Sequence, residues 1–184
     1  MTTTPLIVKT RKARKSPIAA ALASASRALS RSHCRDIAIK KRTERLTLEI
    51  EQMAAAGGGS IINVASDLAL ISPDQRMYAV GLPEGAPAPV KPVSYSVVKS
   101  ALLGLTRYLA TYWSPIPVRC NALVPGSVGG TQSPNLAREL TSRIPLARLA
   151  EPDEYQGALV FLLSDASAYM TGANLVMDGG RTAW

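Results

Sequence analysis

The sequence predicts an α/β fold built around a parallel sheet. Three short, nearly continuous apolar runs, at residues 60–65, 118–124 and 173–177, are typical of strands buried on both faces. Segments with helical periodicity separate these runs. The order strand, helix, strand, helix, strand favours a parallel layer with right-handed crossovers.

A helix is predicted over residues 37–55, directly ahead of the first of these strands. Its apolar residues recur at spacings close to three and four, with charges between them: Ile39, Leu46, Ile50 and Met53. Gly57 is positioned to end this helix. The glycine turn then leads into the strand at residues 60–65.

A long helix is predicted over residues 93–113, with Ser94 as its N-cap and Pro115 beyond its end. The strand at residues 118–124 follows and ends at Pro125-Gly126. Shorter helices are predicted over residues 134–143 and 151–163, the second opening with acidic residues that suit a helix N-terminus. The last strand, at residues 173–177, leads into a glycine turn.

Charge divides the chain near Met53. The formal net charge is +8, and residues 1–52 carry all of it, with 12 of the 21 Lys/Arg and 4 of the 13 Asp/Glu. We therefore expect a basic segment, 1–52, and a charge-neutral α/β domain, 53–184. The basic segment fits a solvated or disordered tail, an organelle-targeting peptide, or a nucleic-acid-binding arm. Nucleic acid is disfavoured, since no aromatic residue that could stack on bases precedes Tyr78.

Several classes of function are excluded by composition. His33 is the single histidine, and the two cysteines, Cys34 and Cys120, form no CxxC pair, so we expect no metal site and no Ser-His-Asp hydrolase. No apolar run approaches the ~18 residues needed to span a membrane. This use of cysteine suits a reducing compartment, and we expect a cytoplasmic protein, with an organelle as the alternative.

Three residues form a candidate catalytic set. Tyr95 and Lys99 are four apart on the long predicted helix, so their side chains share one face. A phenol is a poor acid or base at neutral pH, and a nearby ammonium group favours its ionised form. Ser66 follows the first strand at the carboxyl edge of the sheet, where open parallel sheets bind ligands. Its hydroxyl is placed to hold a carbonyl oxygen while Tyr95 delivers or accepts a proton.

These motifs, in their order, resemble the short-chain dehydrogenase/reductase family. The strand that ends in Ser66 resembles the family strand with its catalytic serine, and Tyr95-Ser96-Val97-Val98-Lys99 resembles its YxxxK helix. The matching segments cover about 125 residues in the family's order. They are residues 59–66, 95–99, 118–126, 144–148, 161–167 and 171–180.

The resemblance implies a partial Rossmann-like, doubly wound parallel sheet and an NAD(P)-dependent oxidoreductase. Tyr95 would be the general acid/base, Lys99 would assist it and hold the nicotinamide ribose, and Ser66 would orient a small carbonyl or alcohol substrate. Pro125, Gly126 and Val128 would line the nicotinamide pocket. The resemblance also implies a homo-oligomer and leaves NAD and NADP as alternatives.

Tyr78 competes with Tyr95, because it lies nearer the family's usual distance from Ser66. Four residues beyond Tyr78 is Leu82, so it lacks the lysine that would assist it. Choosing Tyr95 makes residues 73–92, rich in Pro and Gly, an insertion beside the site. We expect this insertion to be either a substrate-specificity lid or a passive surface excursion.

The family's glycine-rich cofactor turn has no counterpart upstream of the core, because the first glycine is Gly57. The first asparagine is Asn63, so the family's catalytic asparagine is also missing. We therefore expect the cofactor-binding half to be absent and the strand before Ser66 to present an unpaired edge. A non-catalytic remnant that acts through a protein partner is the alternative function.

Overall fold

The computed structural model describes residues 6–10, 48, 50–112, 115–130 and 132–184. The strands are β1 (Leu6–Thr10), β2 (Gly59–Val64), β3 (Val118–Pro125) and β4 (Asn174–Met177). The helices with described bounds are α1 (Val93–Tyr112), α2 (Pro134–Thr141) and α3 (Gln156–Leu163). Short 3₁₀ helices lie at Asp67–Ala69, Gln75–Ala79 and Asp165–Ser167.

The sheet has the strand order β1-β2-β3-β4. β2 pairs with β3, and β3 with β4, in parallel, as the sequence predicts. Each of these three strands lies within one residue of its predicted position. The carboxyl ends of all three therefore meet at one edge of the sheet, where Ser66 and Gly126 follow β2 and β3.

The outer edge of β2 is paired, which corrects the expectation of an open edge. β1 runs antiparallel to β2, in a register that joins Leu6 to Asn63 and Thr10 to Gly59. Sequence reasoning missed β1 because its apolar run, Leu6-Ile7-Val8, is short and lies within a basic segment. The backbone groups along this side of β2 have partners that a local pattern does not reveal.

The predicted helix at residues 37–55 is described only in part. Residues 50–55 are helical, and residues 37–47 and 49 lie outside the described residues. The helix stops where predicted: the Gly57 N–H and the Gly58 N–H donate to the carbonyls of Ala54 and Met53, a pattern that closes helix ends. Gly58 has a φ of +125°, and a Cβ there would lie 2.5 Å from the Pro117 carbonyl oxygen, so glycine is required.

The core lies on both faces of the sheet because neighbouring residues of β2 point in opposite directions. Ile61 packs with Met53, Leu109 and Cys120 on the face that α1 covers. Ile62 packs with Leu162 in the cluster that α3 covers. Cys120 is a buried core residue, and burial raises the pKa of its thiol to about 12. Within the described residues, no helix is both long and apolar enough to cross a membrane.

Candidate active site

Ser66 lies immediately beyond β2 and caps the 3₁₀ helix Asp67–Ala69. Its backbone is extended, and its Oγ accepts a hydrogen bond of 3.2 Å from the Leu68 N–H. The hydroxyl donates its proton to Oδ1 of Asp67 at 2.8 Å. Ser66 is therefore held in one orientation at the carboxyl edge of the sheet by the turn that it caps.

Asp67 and Arg181 form a buried ion pair that the sequence analysis did not identify. Arg181 Nη1 donates to Asp67 Oδ2 at 2.7 Å, and the two side chains are 5% and 4% exposed. The same carboxylate accepts from both the Leu68 N–H and the Ser66 hydroxyl. The ion pair thus fixes the acceptor that orients Ser66.

A turn after β4 brings Arg181 to this position. Asp178 accepts from the backbone N–H groups of Gly180 at 2.9 Å and Thr182 at 2.8 Å. Burial alone raises the pKa of Asp178, but these hydrogen bonds outweigh it and leave the pKa below its ordinary value. The carboxylate of Asp178 therefore stabilises the turn that carries Arg181, three residues further along the chain.

Tyr95 and Lys99 lie on consecutive turns of α1, as their spacing predicts. The Lys99 Nζ is 5.8 Å from the centroid of the Tyr95 ring and donates to the Val64 carbonyl at 2.9 Å. Val64 is the last residue of β2, two positions before Ser66. The first turns of α1 are also tied to the Ser66 turn, because Ser100 Oγ donates to the Ala69 carbonyl at 3.3 Å. The structure therefore brings the three predicted catalytic residues to one edge of the sheet.

The ammonium group of Lys99 is partly desolvated. Burial lowers the pKa of Lys99 below its ordinary value, and the positive charge of Lys91 lowers it further. Sequence reasoning assigned Lys99 to this site but gave no role to Lys91, which lies at the end of the inserted loop 73–92. The Lys91 Nζ lies 3.9 Å from the centroid of the Tyr95 ring, so two lysines flank the candidate catalytic tyrosine.

The inserted loop 73–92 is fastened at both of its ends. The Gln75 side chain accepts from the Lys91 N–H at 2.9 Å and donates to the Lys91 carbonyl at 3.1 Å, which closes the base of the loop. Asp74 binds Arg143 at 3.3 Å, just beyond α2. In mid-loop, Gly81 lies so close to Asn135 of α2 that a Cβ would overlap that side chain. The loop is therefore attached to the fold at its base and beside α2, whereas residues 82–90 are mostly exposed.

Tyr78, the competing tyrosine, lies on the 3₁₀ helix Gln75–Ala79 within this loop. Burial raises the pKa of Tyr78, which is opposite to what a general acid/base at neutral pH requires. The charges of Arg181 and Asp67 and the Tyr95 side chain also act on this pKa, so Tyr78 lies close to the same residues. It is a neighbour of the candidate site without a lysine of its own.

Pro125, Gly126 and Val128 follow the neighbouring strand, β3. A Cβ on Gly126 would lie 2.7 Å from the Asp178 Cα, so only glycine lets β3 and β4 end side by side here. Val128 forms a parallel bridge with Ala150. A cavity of about 210 Å³ opens against Gly126, Tyr155 and Asp178. Ser66, Tyr95 and Lys99 do not line this cavity, which adjoins the Pro125-Gly126 turn instead.

The described residues suit the nicotinamide ribose of a dinucleotide better than its diphosphate. Tyr95 and Lys99 offer a hydroxyl and an ammonium group that suit the nicotinamide ribose. A diphosphate binds at a glycine-rich turn that follows a strand at its carboxyl end. β1 is antiparallel to β2, and its carboxyl end at Thr10 pairs with Gly59, at the sheet edge opposite Ser66. β1 therefore provides no such turn at the site.

Known oxidoreductases are similar to this chain in sequence and in fold. The family model described as "Enoyl-(Acyl carrier protein) reductase" matches residues 86–182. An uncharacterised oxidoreductase of Thermotoga maritima is 38% identical over 144 residues, which cover 73% of this chain and 51% of the relative. The trans-4-hydroxycyclohexanecarboxylate dehydrogenase of Sinomonas cyclohexanicum is 38% identical over 128 residues, covering 70% and 43%.

A solved gluconate 5-dehydrogenase of Burkholderia cenocepacia, in complex with NADP and tartrate, superposes with a TM-score of 0.63 and 25% identity. The similarity covers 96% of this chain and 63% of that chain. This chain spans about half the length of the curated relatives it matches. The family match over more than half of the chain, with the Ser66, Tyr95 and Lys99 arrangement at the sheet edge, shows that it belongs to the short-chain dehydrogenase/reductase family.

Proposed function

We propose that this chain carries the catalytic half of an NAD(P)-dependent oxidoreductase that interconverts a small alcohol and its carbonyl form. The observation that carries the proposal is the convergence of Tyr95 and Lys99 on the end of β2. The Lys99 ammonium lies 2.9 Å from the carbonyl of Val64, which precedes Ser66 by two residues. The same ammonium lies 5.8 Å from the centroid of the Tyr95 ring. A phenol, an ammonium group and a hydroxyl at one edge suit proton transfer to or from an alcohol oxygen.

Each of the three residues has a separate task in this proposal. In the direction of oxidation, Tyr95 takes the proton from the substrate hydroxyl as the carbinol hydrogen leaves as hydride. Lys99 stabilises the negative charge on the phenol oxygen that accepts this proton. NAD(P), when bound, supplies the hydride acceptor for oxidation or the hydride donor for reduction.

Asp67 holds the Ser66 hydroxyl in one orientation. A hydroxyl has a single proton, and Ser66 donates it to Asp67 at 2.8 Å. The single proton of a substrate hydroxyl is the one that Tyr95 takes, so Ser66 has to donate a hydrogen bond if it is to hold the substrate oxygen. In both the alcohol and the carbonyl form, this requires the Ser66 hydroxyl to turn away from Asp67.

Replacement of Tyr95 tests the catalytic assignment. We expect Tyr95→Phe to lower kcat/KM by about 10²–10⁴-fold, because it removes the proton-transfer group and little of the ring packing. Tyr78→Phe is the matched control, and we expect it to retain activity within a few-fold. A loss of activity in the Tyr78 variant alone would transfer the catalytic role to Tyr78 and overturn the assignment.

A non-catalytic subunit that acts through a protein partner is the second candidate function. The antiparallel course of β1 favours it, because β1 brings no diphosphate-binding turn to the site edge. Titration of residues 1–184 with NADH and with NADPH, followed by calorimetry, separates the two. Saturable binding supports the oxidoreductase, and the absence of binding by folded protein supports the second candidate.

We also propose that the chain forms a homo-oligomer in a reducing compartment, the cytoplasm. Large apolar side chains of α1 face solvent in a single chain, including Val93, Val97 and Val98, which are 79%, 60% and 52% exposed. Their burial against a second copy would contribute hydrophobic stabilisation. Light scattering on the purified chain tests the assembly, and a monomeric mass at micromolar concentration would overturn it.

A further inference from the structure

The surroundings of Tyr95 contain more positive charge than the proposed proton transfer uses. Lys99 approaches the tyrosine from its own helix, and Lys91 approaches it from the end of the inserted loop. The charge of Lys91 lowers the pKa of Lys99, so the two ammonium groups repel one another. Lys91 lies closer to the ring than Lys99 does, at 3.9 Å against 5.8 Å from the centroid.

The carboxylates around the site are committed to other cations. Asp67 is paired with Arg181, and Asp74 binds both Arg76 and Arg143. Within the part of the chain that the structure describes, the ion pairs involve neither Lys91 nor Lys99. Two like charges without a carboxylate partner create a positive potential that an anion would relieve.

The position of Lys91 is set by the fold and is not that of a free surface lysine. The Gln75 side chain makes hydrogen bonds to both the N–H and the carbonyl of Lys91. Gln75 itself begins the 3₁₀ helix that Asp74 caps, and Asp74 is tied to Arg143 beyond α2. The backbone that carries this ammonium group is therefore held beside Tyr95 before any ligand arrives, which reduces the ordering cost of binding.

We propose that Lys91 is the carboxylate-binding residue of the site and that the chain acts on hydroxyl or carbonyl substrates that also carry a carboxylate. This inference rests on the proposed function and narrows its substrate to small hydroxy or keto acids. The substrate oxygen lies at Ser66 and Tyr95, and its carboxylate lies at Lys91, on the side of Tyr95 that the inserted loop covers. The loop 73–92 thereby determines specificity by delivering a charge, in addition to any covering of the site.

A matched pair of small molecules tests the charge requirement. The probes are trans-4-hydroxycyclohexanecarboxylate and trans-4-methylcyclohexanol, which share a ring and a hydroxyl and differ in the carboxylate. We expect calorimetry on residues 1–184 to show binding of the carboxylate at least about tenfold tighter than that of the neutral alcohol. Equal affinities, or no binding of the carboxylate by folded protein, would overturn the proposal.

Charge variants locate the binding to Lys91. We expect Lys91→Gln to weaken carboxylate binding about tenfold and to leave binding of the neutral alcohol within twofold. Lys91→Arg keeps the charge, and we expect it to retain most of the affinity. Arg107→Gln is the control for net charge, because twelve residues along α1 place Arg107 about 18 Å from Tyr95. An equal loss in the Arg107 variant would show a general charge effect and overturn the assignment to Lys91.

A separate titration with NADH distinguishes this inference from the proposed function. The same variants are titrated with NADH, whose diphosphate is the competing source of negative charge. Loss of NADH binding in Lys91→Gln, with carboxylate binding unchanged, would assign Lys91 to the cofactor and overturn the inference alone. Carboxylate binding that depends on Lys91, in a chain that binds no NADH or NADPH, would support the anion site and count against the oxidoreductase.

Discussion

β3 and β1 flank the same strand, β2, but run in opposite directions. β3 is parallel to β2, so the residues that follow both strands, Ser66 and Gly126, lie at one edge of the sheet. β1 is antiparallel, and its carboxyl end lies at the opposite edge. The difference teaches that pairing alone stabilises a strand, whereas strand direction decides which loops reach the site.

The parallel side is also where distant parts of the chain interlock. Arg181, after β4, binds Asp67, after β2, although they are 114 residues apart. Lys99 of α1 binds the carbonyl at the end of β2. The described contacts that join β1 to β2 are those of a five-residue ladder. We therefore expect changes on the parallel side to affect both stability and the site, and changes in β1 to affect stability alone.

The largest effect is expected from Arg181→Met. The substitution leaves the Asp67 carboxylate buried without its partner, which costs about 3–5 kcal/mol in the free energy of unfolding. Urea unfolding measures this loss. The double variant Asp67→Asn with Arg181→Met removes both charges, and we expect it to recover much of the stability. A change below about 1 kcal/mol in the single variant would mean that the ion pair is exposed to solvent.

The strands beside the site were predictable because their signal is local. Each of β2, β3 and β4 is a contiguous apolar run next to a turn, and such runs identify buried strands without knowledge of their partners. The helix α1 was located for a similar reason. The prediction that Ser94 is its N-cap was wrong, because the helix begins at Val93 and Ser94 lies within its first turn. The YxxxK spacing then placed Tyr95 and Lys99 on one face of α1.

The missed features depend on contacts between segments distant in sequence. Asp67 carries no signal of its own beyond its position after Ser66, and its partner Arg181 is found only once the sheet is assembled. Lys91 is brought to Tyr95 by a Gln75 side chain 16 residues away, which no periodicity records. β1 pairs with a strand about fifty residues further along the chain. A pattern within one segment cannot report any of these pairings.

A smaller effect is expected from proline in β1. Consecutive residues of an antiparallel strand alternate in whether their N–H points to the neighbouring strand, so Ile7 and Val8 differ in this respect. We expect one of Ile7→Pro and Val8→Pro to cost about 1–3 kcal/mol through a lost ladder bond, and the other to be tolerated. The two variants control for each other in urea unfolding, and neither should alter NADH or carboxylate binding. If both are neutral, β1 does not pair with β2 in solution.

The smallest effect concerns pH and tests how far Lys99 is desolvated. Its folded-state pKa is lowered, by burial first and by Lys91 second, while the Val64 carbonyl accepts from its ammonium group. The unfolded state therefore binds this proton more tightly than the folded state does. The resulting penalty in the free energy of unfolding is fully present below the folded-state pKa. As the pH rises through the folded pKa towards the ordinary lysine value, the penalty is relieved and stability increases.

We expect the free energy of unfolding of the wild-type chain to increase between neutral pH and pH 10 relative to that of Lys99→Met, which has no proton to release at this position. Lys91→Gln provides the intermediate case. Removal of the second ammonium group leaves burial as the main cause of the shift, so the relative increase should become smaller without vanishing. Parallel stability curves for the wild-type and Lys99→Met chains would mean that Lys99 is fully hydrated. In that case, the partly desolvated site edge, on which both the proton-transfer role of Lys99 and the anion-binding role of Lys91 depend, would not exist in solution.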